Sequence, residues 1–174
     1  MLKRAGIKVE NIDYDEIRIA GGQKYRAFDY TLPADWGSSG YPLVAAAITE
    51  GSKVRFNGLD DTDFAGEKAY VDILKAMGAN IEVVDGGRGG ITVEGGAELR
   101  GIEIDCSGTP DAVPALAVLG CKAKGKTVLY NISACTAKDT ERSKSILADL
   151  TKMGAKLEET NDTLTIHHSD LKGA

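Results

Sequence analysis

Apolar and polar positions along the chain follow two periods. Runs at 28–32, 53–59, 102–106 and 127–132 are short, β-branched or aromatic and bounded by turn residues, which predicts strands. Runs at 38–49, 65–77, 111–124 and 141–153 predict helices, and in the last Ile146, Leu147 and Leu150 fall at helical spacing. Three stretches share one further signature: Leu2-Lys3-Arg4-Ala5-Gly6-Ile7, Leu74-Lys75-Ala76-Met77-Gly78-Ala79 and Leu150-Thr151-Lys152-Met153-Gly154-Ala155. In each, a glycine is placed to end a helix in the left-handed conformation, and a strand starts at once. A second short strand follows each, at 17–19, 91–93 and 164–166, through a turn rich in Asp, Gly or Asn.

The signature recurs about every 74 residues, so the chain is an internal repeat. The predicted fold is α/β, made of β-α-β-α-β-β units: two full ones plus the tail of another. The tail reaches to about residue 30, with 31–101 the first unit and 102–174 the second. Leu171-Lys172-Gly173 repeats Leu99-Arg100-Gly101, which leads into the second unit, so a third unit is expected to begin where this sequence stops. The pattern is that of a piece of a longer protein.

Candidate chemistry concentrates between Cys106 and Arg142. Pro110-Asp111-Ala112-Val113-Pro114 opens a helix, with Ser107 or Thr109 as the expected cap and Gly125 just past the end. Asp111 is accounted for by its dipole-favourable place in a first turn. Thr140 or Asp139 is expected to cap the following helix. There Lys138 and Arg142 stand at the positive end of the dipole, as like charges four residues apart, where cations are unfavourable. Asp139 and Glu141 can relieve this as a solvated charged cap. The alternative is an anion site, in which backbone N–H groups, an ammonium and a guanidinium converge on a phosphate or carboxylate. The repeat provides a control, because the first unit carries the acidic stretch Asp60-Asp61-Thr62-Asp63-Phe64-Ala65-Gly66-Glu67 where the second carries Lys138-Asp139-Thr140-Glu141-Arg142. A scaffold role alone does not require that difference, so the anion site is favoured.

Composition narrows the partners. A net charge of −5 argues against a nucleic-acid or anionic-membrane surface and leaves a small anion as the ligand. Three cysteines without C-x-x-C spacing suggest neither a disulfide nor a metal site and fit a reducing, cytoplasmic location. The longest apolar run, 43–48, is too short to span a bilayer. His167 and His168 are adjacent, near the end of a predicted strand, and are expected to be bystanders.

Read together in order, Gly22-Gln23-Lys24-Tyr25, Leu32-Pro33-Ala34-Asp35-Trp36, the Met-Gly-Ala pairs, Pro110-Asp111-Ala112-Val113-Pro114 and Lys138 to Arg142 make almost the whole chain resemble the 5-enolpyruvylshikimate-3-phosphate synthases. The resemblance implies a two-lobed transferase of the shikimate pathway of aromatic amino acid biosynthesis. Each lobe has three β-α-β-α-β-β units, and the enolpyruvyl group of phosphoenolpyruvate passes to the 5-hydroxyl of shikimate 3-phosphate without metal or organic cofactor. Carried over, Asp111 contacts the hydroxyls of shikimate 3-phosphate and is a candidate proton acceptor, Lys138 binds the same substrate, and Arg142 binds phosphoenolpyruvate. Asp139 stands where the family has a longer Glu that handles protons.

Glu141 replaces the family's Asp, Ala65-Gly66-Glu67 its Gln-Gly-Asp, and Ala134 an asparagine of some members; the Ser-Ser-Ala of the crossover helix is shifted to Gly37-Ser38-Ser39-Gly40. Residues that the family draws from its other lobe and last unit are absent. The chain by itself is therefore expected to lack a complete active site and to self-associate or dock a complementary segment. The competing reading is a non-catalytic repeat module kept for binding or assembly. A sister transferase acting on a UDP-sugar is disfavoured by the 138–142 motif.

Overall fold

The computed structural model of the chain describes residues 1–60, 65–87, 89–133 and 142–173. Contacts divide it into two units, Met1–Leu32 and Pro33–Ala174. In the first, β1 (Glu10–Ile12) and β2 (Glu16–Arg18) form an antiparallel hairpin exposed at every residue. Its turn places Asp13 and Tyr14 at φ 50° and 64°, the mirror-image turn that suits hairpin twist. Asn11 Oδ1 holds that turn by accepting the Tyr14 N–H at 2.9 Å. The strand expected at 28–32 does not form. Phe28 and Tyr30 instead turn to each other, with ring centroids 6.5 Å apart, and the Arg4 guanidinium lies 4.6 Å over the Tyr30 ring. The apolar side chains that suggested a strand thus find local partners, and Leu32 stays exposed.

The second unit runs α1 (Trp36–Ile48), β3 (Lys53–Phe56), α2 (Tyr70–Ala76), β4 (Asn80–Val83), β5 (Ile91–Glu94), β6 (Glu103–Asp105), α3 (Val113–Lys122), β7 (Lys126–Tyr130), α4 (Arg142–Lys152), β8 (Lys156–Glu159) and β9 (Thr163–His167). One sheet has the order β3-β5-β4, all antiparallel. The other has the order β6-β7-β9-β8, with β6 and β7 parallel. The extra strand is the counterpart of the one that fails to form at 28–32. Helices α1, α3 and α4 pack in sequence. Small residues let α3 approach β7 and β9, since a Cβ on Gly120 would come within 3.1 Å of Thr127 and 3.2 Å of Ile166. His167 pairs with Glu158, at 3.1 Å from Nε2 to the carboxylate, and His168 is exposed beyond the strand.

The three signature glycines behave alike. Gly6, Gly78 and Gly154 have φ 81°, 92° and 93°. Each N–H reaches back to a carbonyl three residues earlier, and the next N–H to one five earlier: Gly78 to Lys75 at 3.0 Å and Ala79 to Leu74 at 2.9 Å, Gly154 to Thr151 and Ala155 to Leu150, both at 2.9 Å. The carbonyls of Ala5, Met77 and Met153 then accept the backbone N–H of Arg26, Arg100 and Lys172, each at 2.9 Å. Gly58 and Asn131, just past β3 and β7, are both left-handed, at φ 82° and 57°.

Two helix starts differ from expectation. The helix predicted over 65–77 opens as a 3-10 turn, Gly66–Ala69, with no side-chain cap at Ala65. The one predicted over 111–124 opens as Pro110–Ala112, also 3-10, and neither proposed cap acts. The backbone N–H of Ser107 donates to Asp105 Oδ1 at 2.9 Å, and the buried Thr109 hydroxyl has no partner among the described residues.

Candidate functional site

Within the second unit, an open cavity of ≈ 670 Å³ lies where four helices begin. Asp35, Gly37, Ser38 and Tyr41 come from the start of α1 and Glu67 from the 3-10 turn before α2; Asp111 and Pro114 come from the start of α3, Ser145 and Ile146 from the first turns of α4. Helix starts carry positive partial charge, so this end of the helical layer favours anionic and acceptor-rich groups.

Each wall has a local cause. Asp35 caps α1, accepting the N–H of Gly37 at 3.1 Å and of Ser38 at 2.9 Å. Hydrogen bonding from Ser38, side chain first and then backbone, and from Gly37 holds its carboxyl below the usual carboxylate range. Gly66 brings Glu67 against the Asp111 loop, because a Cβ on Gly66 would lie 1.9 Å from the Gly108 carbonyl oxygen. That close approach joins the turn before α2 to the loop before α3. The Asp111 turn hangs from the end of β6, where Asp105 Oδ1 accepts from the Asn131 side-chain amide at 2.9 Å and from Ser107 N–H at 2.9 Å. The Asn131 bond is the larger of the causes that hold Asp105 below the ordinary carboxylate value.

Of the residues read from the sequence, Asp111 is on the cavity wall. Arg142 opens α4, three residues before Ser145. Lys138 and Asp139 lie outside the described residues, as does the cap expected from Thr140 or Asp139. Sequence reading missed Asp35, Glu67 and Tyr41 as cavity residues. A signal for Glu67 was present, since it follows the acidic stretch at the scaffold position where the other unit is basic.

Chemically, the described wall presents three carboxylates, Asp35, Glu67 and Asp111, along with the Ser38, Tyr41 and Ser145 hydroxyls. Carboxylates accept hydrogen bonds from hydroxyl donors and can take their protons. Among the described residues, no group of three His, Cys, Asp or Glu side chains is arranged to hold a metal ion, and no helix is long and apolar enough to cross a membrane.

A profile of the family described as EPSP synthase (3-phosphoshikimate 1-carboxyvinyltransferase) matches residues 1–174. The 3-phosphoshikimate 1-carboxyvinyltransferase of Acetivibrio thermocellus is 43% identical over 172 residues, covering 99% of this chain and 40% of its own length. That of Methanococcoides burtonii is 42% identical over 176 residues, covering 100% and 40%. The chain therefore spans about 40% of the length of these relatives. Among solved structures, EPSP synthase from Acinetobacter baumannii superposes with a TM-score of 0.81 at 27% identity, over 96% of this chain and 39% of that one. The enolpyruvyl transferase NikO from Streptomyces tendae, at 19% identity and a TM-score of 0.68 over 96% and 38%, shares the fold.

Proposed function

Because the chain belongs to the EPSP synthase family, we propose that it carries part of the site of an enolpyruvyl transferase, the part that holds shikimate 3-phosphate. The observation that carries this reading is the cavity at the four helix starts, with Asp111 on its wall and α4 opening at Arg142 beside it. The carboxylates suit a polyol whose hydroxyls donate, and on this reading Asp111 takes the proton from the hydroxyl that attacks phosphoenolpyruvate. Lys138 and Arg142 supply the cations that the described wall lacks, Lys138 toward shikimate 3-phosphate and Arg142 toward phosphoenolpyruvate. Asp139 is the proton-handling group in place of the family's Glu. No metal or organic cofactor takes part, and the setting is the cytoplasm.

On this reading residues 1–30 are the end of a neighbouring lobe and the crossover, 31–101 one repeat and 102–174 the next. The three glycine corners and the two related sheets support that division. The full reaction needs groups from both lobes, so the chain alone binds substrate and does not turn it over.

Calorimetric titration of the chain with shikimate 3-phosphate tests this. Saturable binding is expected, weakened by added salt and by Asp111→Asn or Arg142→Ala. Absence of binding, or binding indifferent to both substitutions, overturns the reading.

A further inference from the structure

Tyr70 does not line the cavity, yet it touches three of the cavity's walls. It is the first residue of α2, directly after the 3-10 turn that carries Glu67, and is 1% exposed. Its ring fills the space above Gly40 of α1 so closely that a Cβ there would lie 2.1 Å from Cζ and 2.4 Å from the hydroxyl oxygen. Its hydroxyl donates to the carbonyl of Ala112, next to Asp111, at 3.4 Å. Burial pushes the phenol well above its ordinary range, and the nearby Tyr41, Glu67 and Asp111 add to that effect.

We propose that Tyr70 is the positioning residue of this cavity, a buried strut that sets the distance between the start of α1 and the Asp111 turn. The inference rests on the cavity being the shikimate 3-phosphate site. A ring serving the core alone gains nothing from a hydroxyl, because burying a phenol at this depth is costly unless it makes a hydrogen bond. Here the bond goes to the one turn that carries Asp111. A tyrosine ring moves about only two torsions, so it transmits a fixed spacing. The glycine at position 40 is the matching feature on α1, since any side chain there would displace the ring.

The test compares Tyr70→Phe, Gly40→Ala and the double variant Tyr70→Leu/Gly40→Ala for thermal midpoint and for shikimate 3-phosphate affinity. Tyr70→Phe keeps the ring and is expected to fold with a near-normal midpoint while losing about fivefold in affinity, the usual net worth of one hydrogen bond. Gly40→Ala alone is expected to lower both. In the double variant the new methyl group fills space that the ring vacates, so the midpoint recovers toward the original while affinity stays reduced. The proposal is overturned if Tyr70→Phe binds as tightly as the parent, or if affinity in the double variant returns together with stability, since Tyr70 would then be core packing only. If the parent chain itself does not bind, it is the assignment of the site that fails, and the positioning role falls with it.

Discussion

Gly66→Ala is a sharp test of how the Glu67 turn and the Asp111 loop pack together at the cavity. Gly66 has no left-handed φ, so alanine is allowed by its backbone; the obstacle is the loop ahead of α3, whose Gly108 carbonyl oxygen would lie 1.9 Å and carbonyl carbon 3.1 Å from the new Cβ. A carbon and a carbonyl oxygen do not approach closer than about 3 Å, so the two loops must separate by roughly 1 Å. Overpacking of this kind costs about 1–3 kcal/mol. For a chain of this length each kcal/mol lowers the melting midpoint by about 2–4 °C, which gives a fall of about 2–12 °C. The same shift moves Glu67 away from Asp111 on the wall they share, so affinity for shikimate 3-phosphate should fall as well. Thermal unfolding followed by circular dichroism, with calorimetric titration of shikimate 3-phosphate, reads both effects. Gly108→Ala is the control, because a Cβ there meets nothing within 4 Å, and it should melt and bind as the parent does. A Gly66→Ala chain with unchanged midpoint and affinity would refute the reasoning.

Further expectations follow from other features. The folded carboxyls of Asp35 and Asp105 titrate below their unfolded value of 3.8, so their stabilisation is present above about pH 4 and is lost as pH falls through the folded values; urea unfolding should show this acid slope, and Asp105→Asn should flatten it. Burial raises the Cys121 thiol from 9.0 to about 11, so the stabilisation it confers is complete below pH 9 and is lost as pH rises toward 11; Cys121→Ala should remove that part of the alkaline loss. Gly154→Ala should cost about 1–2 kcal/mol by denaturant titration, because Gly154 is left-handed at φ 93°, and a cost near zero would count against the corner geometry. In an active full-length enzyme that contains these residues, Asp139→Glu should raise kcat with little change in KM, since the longer side chain recovers roughly 1 Å of reach; an unchanged rate would make Asp139 a helix cap only.

The glycine corners were legible because their cause is local. A glycine after an apolar helical run is nearly the only residue that takes φ near 90° cheaply, so Gly6, Gly78 and Gly154 announced themselves at a fixed spacing. The three hairpins followed from turn residues between short apolar runs, and the apolar face of α4 from its helical spacing. The strand expected at 28–32 failed because strand formation needs a partner edge, and a β-rich composition does not reveal that Phe28 and Tyr30 will pair with each other. The expected caps at Ser107 and Thr109 failed for a related reason. Asp105, two residues ahead of Ser107, takes the Ser107 N–H, and it is held in place by Asn131, just past β7 and 26 residues away.

Asp111 could be singled out by its place in a first turn and by the motif around it, so its candidacy belonged to the sequence. Its company did not. Asp35 reads along the chain as an ordinary helix cap, and Glu67 as one more charge in an acidic stretch. They become walls of one cavity because α1, α2 and α3 start at the same end of the helical layer, and because Gly66 and Gly40 permit contacts that no side chain would allow. Local conformational preference acts over a few residues and is written in them directly. Convergence of residues 35, 67 and 111 depends on which helix faces bury against which sheets, a long-range outcome of packing that only the folded chain displays.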